Sequence, residues 1–302
     1  MAKTKPVRLA SLAQGKSVLA REDDGTIQLT LTIPQTEVKK TEQEVLVELA
    51  KTIEIPGFRR GHAPADQVKA SISAQTILEK ILSRVLPGAF QKAIGEHEIH
   101  PILSPRFELI KAPLRQGSEE QAGEGDWQVR AITCEAPEVE LGDYKKELED
   151  AKRTSSQSSS AQAQKTPADR ENLVIETLLK TSNVTIPRPL IEEEVNHRLS
   201  DLVEETQKLG LTIEQYLSST GKTVESIRSE YARQSEDQIK IMLLLSHIAD
   251  AQGIQISDAD VEKTAKDTGQ KSAGSELTNA QKEVIRAVLK RRGALDKLVS
   301  IL

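Results

Sequence analysis

At 302 residues, with 37% hydrophobic and 29% charged residues, the chain has room for two domains whose cores must be largely aliphatic. A formal charge of −5 argues against a general nucleic-acid binder, and an aromatic content of 2% disfavours recognition of single strands by base stacking. No run of about 18 apolar residues offers a membrane span, the N-terminal stretch lacks the apolar centre of a secretory signal, and the lone Cys134 excludes an internal disulfide and fits a reducing compartment.

In chain order, residues 1–20 read as a basic, flexible extension carrying Lys3, Lys5, Arg8 and Lys16. Thr26–Ile33 then alternates apolar and polar residues, the pattern of a half-buried strand, and Pro34 ends it. Val38, Val45, Leu46, Leu49 and Ile53 recur at mostly helical spacing, so residues 35–53 form a helix. That helix runs into Ile55-Pro56-Gly57-Phe58-Arg59-Arg60-Gly61-His62-Ala63-Pro64. Two prolines and two glycines forbid a continuous helix there and favour a tight, exposed turn. The segment is free of acids and sets one of only three Phe beside two arginines. Loop physics leaves two readings open: a solvated connector whose Phe58 tucks into the local core, or a tip that a partner reads.

Helices follow over residues 65–73 and 75–95, the second of which Pro87 should kink or interrupt. Strands are expected at Arg106–Ala112 and Trp127–Cys134, with a polar hairpin loop between them and Cys134 as a buried strand residue, not a nucleophile. Residues 21–148 thus make an α+β domain, a small antiparallel sheet with helices packed on one face. Residues 149–168 are rich in Ser and Gln after Ala151 and read as a flexible linker.

Residues 169–302 read as all-α. Pro187-Arg188-Pro189 opens a helix to Leu209, and Thr212 with Gln215 has capping-box spacing. Thr223 caps a helix over Val224–Ala251 that Gly253 closes. At 1.5 Å per residue it is about 42 Å long, so part of it should project as an arm. Ile239–Leu245 is nearly apolar all round and should be buried among several helices. Ser257 caps another helix, 269–275 is a loop, and Leu277–Arg292 is the last major helix.

Several tempting motifs carry no chemistry. Gly221-Lys222-Thr223 imitates the end of a phosphate loop, yet Tyr216 stands where that motif needs Gly and a helix precedes it. His97 and His100 are three apart with no third ligand, and Pro101 ends any helix there. His197 and His247 read as ordinary helix residues, and Glu192-Glu193-Glu194 complements a helix dipole. No catalytic constellation, metal site or cofactor site is expected.

Gly57-Phe58-Arg59-Arg60-Gly61-His62-Ala63-Pro64 resembles the ribosome-docking signature of the bacterial trigger factor family, Gly-Phe-Arg-Lys-Gly-x-x-Pro. Arg60 replaces the usual lysine and His62 stands where a lysine is common. The stretches Cys134–Leu141 and Arg291–Val299 are similar to that family's domain exit and C-terminus. The resemblance implies a ribosome-docking α+β domain followed by an all-α chaperone domain with long helical arms. It implies ribosome-binding residues Gly57, Phe58, Arg59, Arg60, Gly61, His62 and Pro64. Partners would be ribosomal protein and rRNA phosphates near the exit tunnel, nascent or unfolded polypeptides, and a second copy when the protein is free, with no membrane. The location would be cytoplasmic and partly ribosomal. Most members insert a prolyl isomerase domain where this chain has its Ser/Gln segment, which is too short to hold one. The expected activity is therefore ATP-independent chaperoning without catalysis; a ribosome-independent holdase or scaffold, and less so an isomerase, are the alternatives.

Overall fold

The computed structural model describes residues 17–56, 58–59, 61–111, 125–157, 166–268 and 277–302. The chain divides into two compact units between Ala136 and Pro137.

In the first unit the elements run β1 (Val18–Arg21), β2 (Thr26–Ile33), α1 (Gln35–Thr52), α2 (Ala65–Ser71), α3 (Ala74–His97), β3 (Arg106–Lys111) and β4 (Trp127–Cys134). The strands form an antiparallel sheet in the order β1-β2-β4-β3. Along β2, Ile27, Leu29, Leu31 and Ile33 all point into the core, and β4 sets Thr133, Ala131, Val129 and Trp127 directly opposite them. The period of two therefore places one continuous apolar face across the central pair. α1 and the first turns of α3 cover one part of that face through Val45, Leu46, Leu49, Ile77, Ile81 and Val85, packed with Trp127 and Val129. Phe90, Ala93 and Ile99 cover the rest with Leu29 and Leu31. Each fully buried aliphatic side chain here contributes about 1.5–3 kcal/mol. Phe90 and Phe107 meet edge to face at 5.9 Å between ring centres, so two of the three Phe are spent on packing.

β1 extends the sheet over residues that the sequence places at the junction of the basic extension and the domain; four residues with half-buried centres give too short an alternation to read. α3 is continuous through Pro87, which removes one intrahelical bond without ending the helix, and it stops where Glu98 turns left-handed at φ 52°. Cys134 is fully buried, and burial, aided by Asp24, pushes its thiol up to about 11. The hairpin loop expected before Trp127 lies mostly outside the described residues.

Glu135 ties three segments together: its carboxylate accepts from the His100 backbone N–H at 2.9 Å and pairs with Arg21 at the end of β1. The His100 bond first, and Arg21 after it, hold the carboxyl below its usual range. A depressed folded-state pKa adds stability above the unfolded value and loses it as pH falls through the folded one. Thermal melts between about pH 7 and pH 3 should therefore show Glu135→Gln less stable than wild type near neutrality, with the two converging in acid. A constant gap across that range would contradict this role.

The second unit contains α4 (Tyr144–Gln157), α5 (Pro167–Thr181), α6 (Arg188–Lys208), α7 (Ile213–Thr220), α8 (Val224–Ala251), α9 (Asp258–Asp267) and α10 (Asn279–Val299). Thr212, Thr223 and Ser257 cap their helices as their spacing predicts, and Thr166 and Thr278 add two further capping boxes. The core joins Tyr144 and Leu148 of α4, Val174 and Leu178 of α5, Ile239, Leu244 and Ile248 of α8, and Leu295 and Leu298 of α10. α4 thus runs through Gln157 into the stretch read as linker, because Tyr144 and Leu148, one turn apart, anchor its first half. Lys152 also donates to the Ile301 carbonyl at 2.8 Å. Residues 158–165 and the whole of the expected 269–275 loop lie outside the described residues.

The Ile239–Leu245 run is not buried on every face. Ile239, Leu244 and Leu245 enter the core, Ile241 and Leu243 are half-buried, and Met242 is exposed. All five α8 residues of the main core lie in its C-terminal half; the N-terminal half packs along α6 instead.

Candidate docking loop

α1 delivers the chain to the loop and ends at Thr52, where the Ile53 backbone is extended and its N–H still reaches the Leu49 carbonyl at 3.0 Å. Ile55 turns inward and is buried in the core of the first unit, and Ala63 packs half-buried against the same core. Between these anchors the backbone is held by its own bonds. Phe58 N–H donates to the Ile55 carbonyl at 3.1 Å, His62 N–H to the Arg59 carbonyl at 3.0 Å, and Gly61 N–H to the Ala50 carbonyl at 2.8 Å. Gly61 has φ +82°, a left-handed conformation that glycine adopts freely and other residues resist. Pro64 then starts α2, its carbonyl accepting from Gln67 and Val68, and the fully buried Val68 fixes that helix to the core.

The consequence is a tip with rigid feet. Phe58 is 42% exposed, and Arg59, Gly61, His62 and Pro64 are exposed beside it. Gly57 and Arg60 lie outside the described residues. Of the two readings of the loop, Phe58 folded into the local core is therefore not the one observed. An open groove of about 650 Å³ runs along the tip, lined by Glu54, Ile55, Pro56, Phe58 and Arg59. It offers an aromatic face, a hydrophobic floor and a planar guanidinium suited to a carboxylate or a phosphate. Lys51, in the last turn of α1, stands next to Gly61 and adds a cation at the base of the loop. Sequence reasoning missed it; the available signal was a basic residue in the final turn of the helix that presents the loop.

The other singled-out residues do not assemble a site. His97 meets Ser17, with Nε2 3.0 Å from the hydroxyl, whereas His100 contributes its backbone N–H to Glu135. His197 faces Asp201 along its own helix. Gly221 is the left-handed C-cap of α7, its N–H bonded to Leu217, which accounts for the Gly-Lys-Thr sequence without a phosphate. Among the described residues no group of three His, Cys, Asp or Glu could hold a metal ion, and no helix is long and apolar enough to cross a membrane.

Comparison with known proteins finds the same family for both parts of the chain. The family model described as bacterial trigger factor protein matches residues 16–166, and the one described as bacterial trigger factor protein C-terminus matches residues 147–300. The trigger factor of Streptococcus agalactiae serotype III is 28% identical over 148 residues, 48% of this chain and 32% of that protein. The trigger factor of Streptococcus gordonii is 31% identical over 117 residues, 39% of this chain and 25% of that protein. The matched stretches thus span a third or less of those relatives' length. A solved structure of a trigger factor chaperone, described by its promiscuous substrate recognition in folding and assembly activities, superposes with a TM-score of 0.59 at 15% identity. The superposition covers 94% of this chain and 99% of that one, a likeness of fold.

Proposed function

We propose that this chain, which belongs to the bacterial trigger factor family, docks on the ribosome near the exit tunnel through its 57–64 loop and shields emerging polypeptides with its helical unit, without ATP. The observation that carries this reading is the exposed Phe58 and Arg59 on a tip whose flanks, Ile55 and Ala63, are set in a core. Aromatic surface in water is costly unless a partner covers it. Arg59 and Arg60 would engage acidic side chains of a ribosomal protein or rRNA phosphates, Phe58 an apolar niche, and the glycines would let the backbone approach closely. Such a protein works in the cytoplasm, partly on ribosomes, and pairs with a second copy when free.

The two family matches overlap at residues 147–166, so no stretch between them holds the isomerase domain that fuller members insert. We therefore infer a chaperone without prolyl isomerase activity. Two assays on the full chain test this. Diluting a denatured client into buffer with a stoichiometric amount of the protein and no nucleotide should suppress light scattering. A prolyl peptide should isomerise at its uncatalysed rate, over tens to hundreds of seconds. Unchanged scattering would contradict the chaperone reading, and acceleration of the peptide would contradict the absence of catalysis.

A further inference from the structure

A groove of about 580 Å³ lies between α6 and α8, with Ile191, Val195 and Ala232 along its lining. Val195 is buried, whereas Ile191 and Ala232 are only half-covered, so apolar surface remains open to a ligand. The helices that wall the groove are clamped to each other. The Arg198 guanidinium of α6 bonds to Gln234 and Gln238 of α8 and lies 5.9 Å from the centre of the Tyr231 ring.

Most charges on the rim are already engaged. Arg188 pairs with Glu192 at 3.1 Å, Arg228 donates to Asn196 at 3.1 Å, and Glu236 pairs with Lys240 at 2.6 Å. Glu225 and Arg233 are exposed and, among the described residues, their side chains make no hydrogen bond or ion pair. They stand eight positions apart on one helix, about 12 Å along its axis. An extended chain covers that distance in about four residues.

We propose that this groove binds an extended segment of unfolded polypeptide in which a Lys or Arg and an Asp or Glu flank three apolar residues, the cation over Glu225 and the acid over Arg233. The inference rests on the reading of the helical unit as a holder of unfolded chains and adds a selection rule to it. A segment with two like charges must set one of them against its own kind, and a wholly apolar segment leaves both groove charges partly desolvated and unpaired.

Fluorescence anisotropy with labelled peptides on the full chain tests it, using flexible Gly/Ser ends around Lys-Leu-Val-Leu-Asp, Lys-Leu-Val-Leu-Lys or Asp-Leu-Val-Leu-Asp. Wild type should bind the mixed peptide about threefold to tenfold more tightly than either of the others, the range that exposed ion pairs allow. Glu225→Lys should shift the preference to the di-acidic peptide and Arg233→Glu to the di-basic one. Both substitutions are at exposed positions, and unchanged helical circular dichroism would establish that the variants fold. A rank order that ignores both charge exchanges, in a protein that still suppresses client aggregation, overturns the groove while leaving the chaperone reading intact. If no peptide binds and aggregation is not suppressed, the chaperone reading fails and the groove falls with it.

Discussion

Replacing Gly142 by Ala should lower the thermal midpoint of the helical unit by about 6–12 °C, the shift that roughly 3 kcal/mol produces in a unit of this size. A Cβ at Gly142 would stand 2.1 Å from the Thr181 carbonyl oxygen and 3.1 Å from its carbonyl carbon. Both atoms are backbone at the end of α5, so no side-chain rotation relieves the clash. Two residues away, Glu140 and Asn183 exchange backbone bonds of 3.3 and 3.1 Å, which fixes the approach of the two segments. The Tyr144 N–H bonds to the Gly142 carbonyl at 2.8 Å, so any shift moves the start of α4 and with it the buried Tyr144 and Leu148. Far-ultraviolet circular dichroism follows the helices, while Trp127, the only Trp, reports the first unit separately. Gly293→Ala is the control: the nearest atom, the Ile254 Cγ2, is 3.4 Å from its Cβ position, and a helix interior favours Ala over Gly by about 1 kcal/mol. A Gly142→Ala midpoint no lower than that of Gly293→Ala would contradict this packing of residues 140–144 against the end of α5.

Arg59→Ala/Arg60→Ala should weaken ribosome binding about a hundredfold, since each charge-assisted contact is worth about 1.5 kcal/mol or more. Its salt dependence identifies what the arginines meet. If both neutralise phosphates, the slope of log affinity against log salt should become shallower by at most about 2, at roughly 0.7–0.9 per contact. A weakened affinity with an unchanged slope assigns the contacts to protein carboxylates, and an unchanged affinity removes the arginines from the interface.

The sequence made elements legible wherever one local rule dominated. Thr26–Ile33 alternates cleanly because β2 has one buried face, and Trp127–Cys134 does so for the same reason. Caps at Thr212, Thr223 and Ser257 are local chemistry, readable without tertiary information. What escaped depends on distant partners. Val18–Arg21 is a strand because β2 offers it an edge, and the path of residues 140–144 into α4 depends on Gly142, whose necessity appears only when Thr181 lies against it. Leu148 is visible as an apolar residue, yet the polar run after it outweighs its anchoring role in the sequence alone, which starts the linker one residue later. Of the candidate site, the loop's composition and its place at a helix end were legible. The exposure of Phe58 was not, because it follows from Ile55 and Ala63 taking the inward positions and from Phe90 and Phe107 filling the core. The α6 and α8 groove was illegible for a related reason: Glu225 and Arg233 look like ordinary solvated charges until the other rim residues are seen to be paired.

Co-sedimentation of the purified protein with empty and translating bacterial ribosomes, at moderate salt, compares wild type with Phe58→Ala/Arg59→Ala/Arg60→Ala. Wild type should pellet with both ribosome populations while the triple variant, equally folded by Trp127 fluorescence, stays in the supernatant. Equal pelleting of the two proteins, or a folded wild type that remains in the supernatant, would contradict docking through this loop.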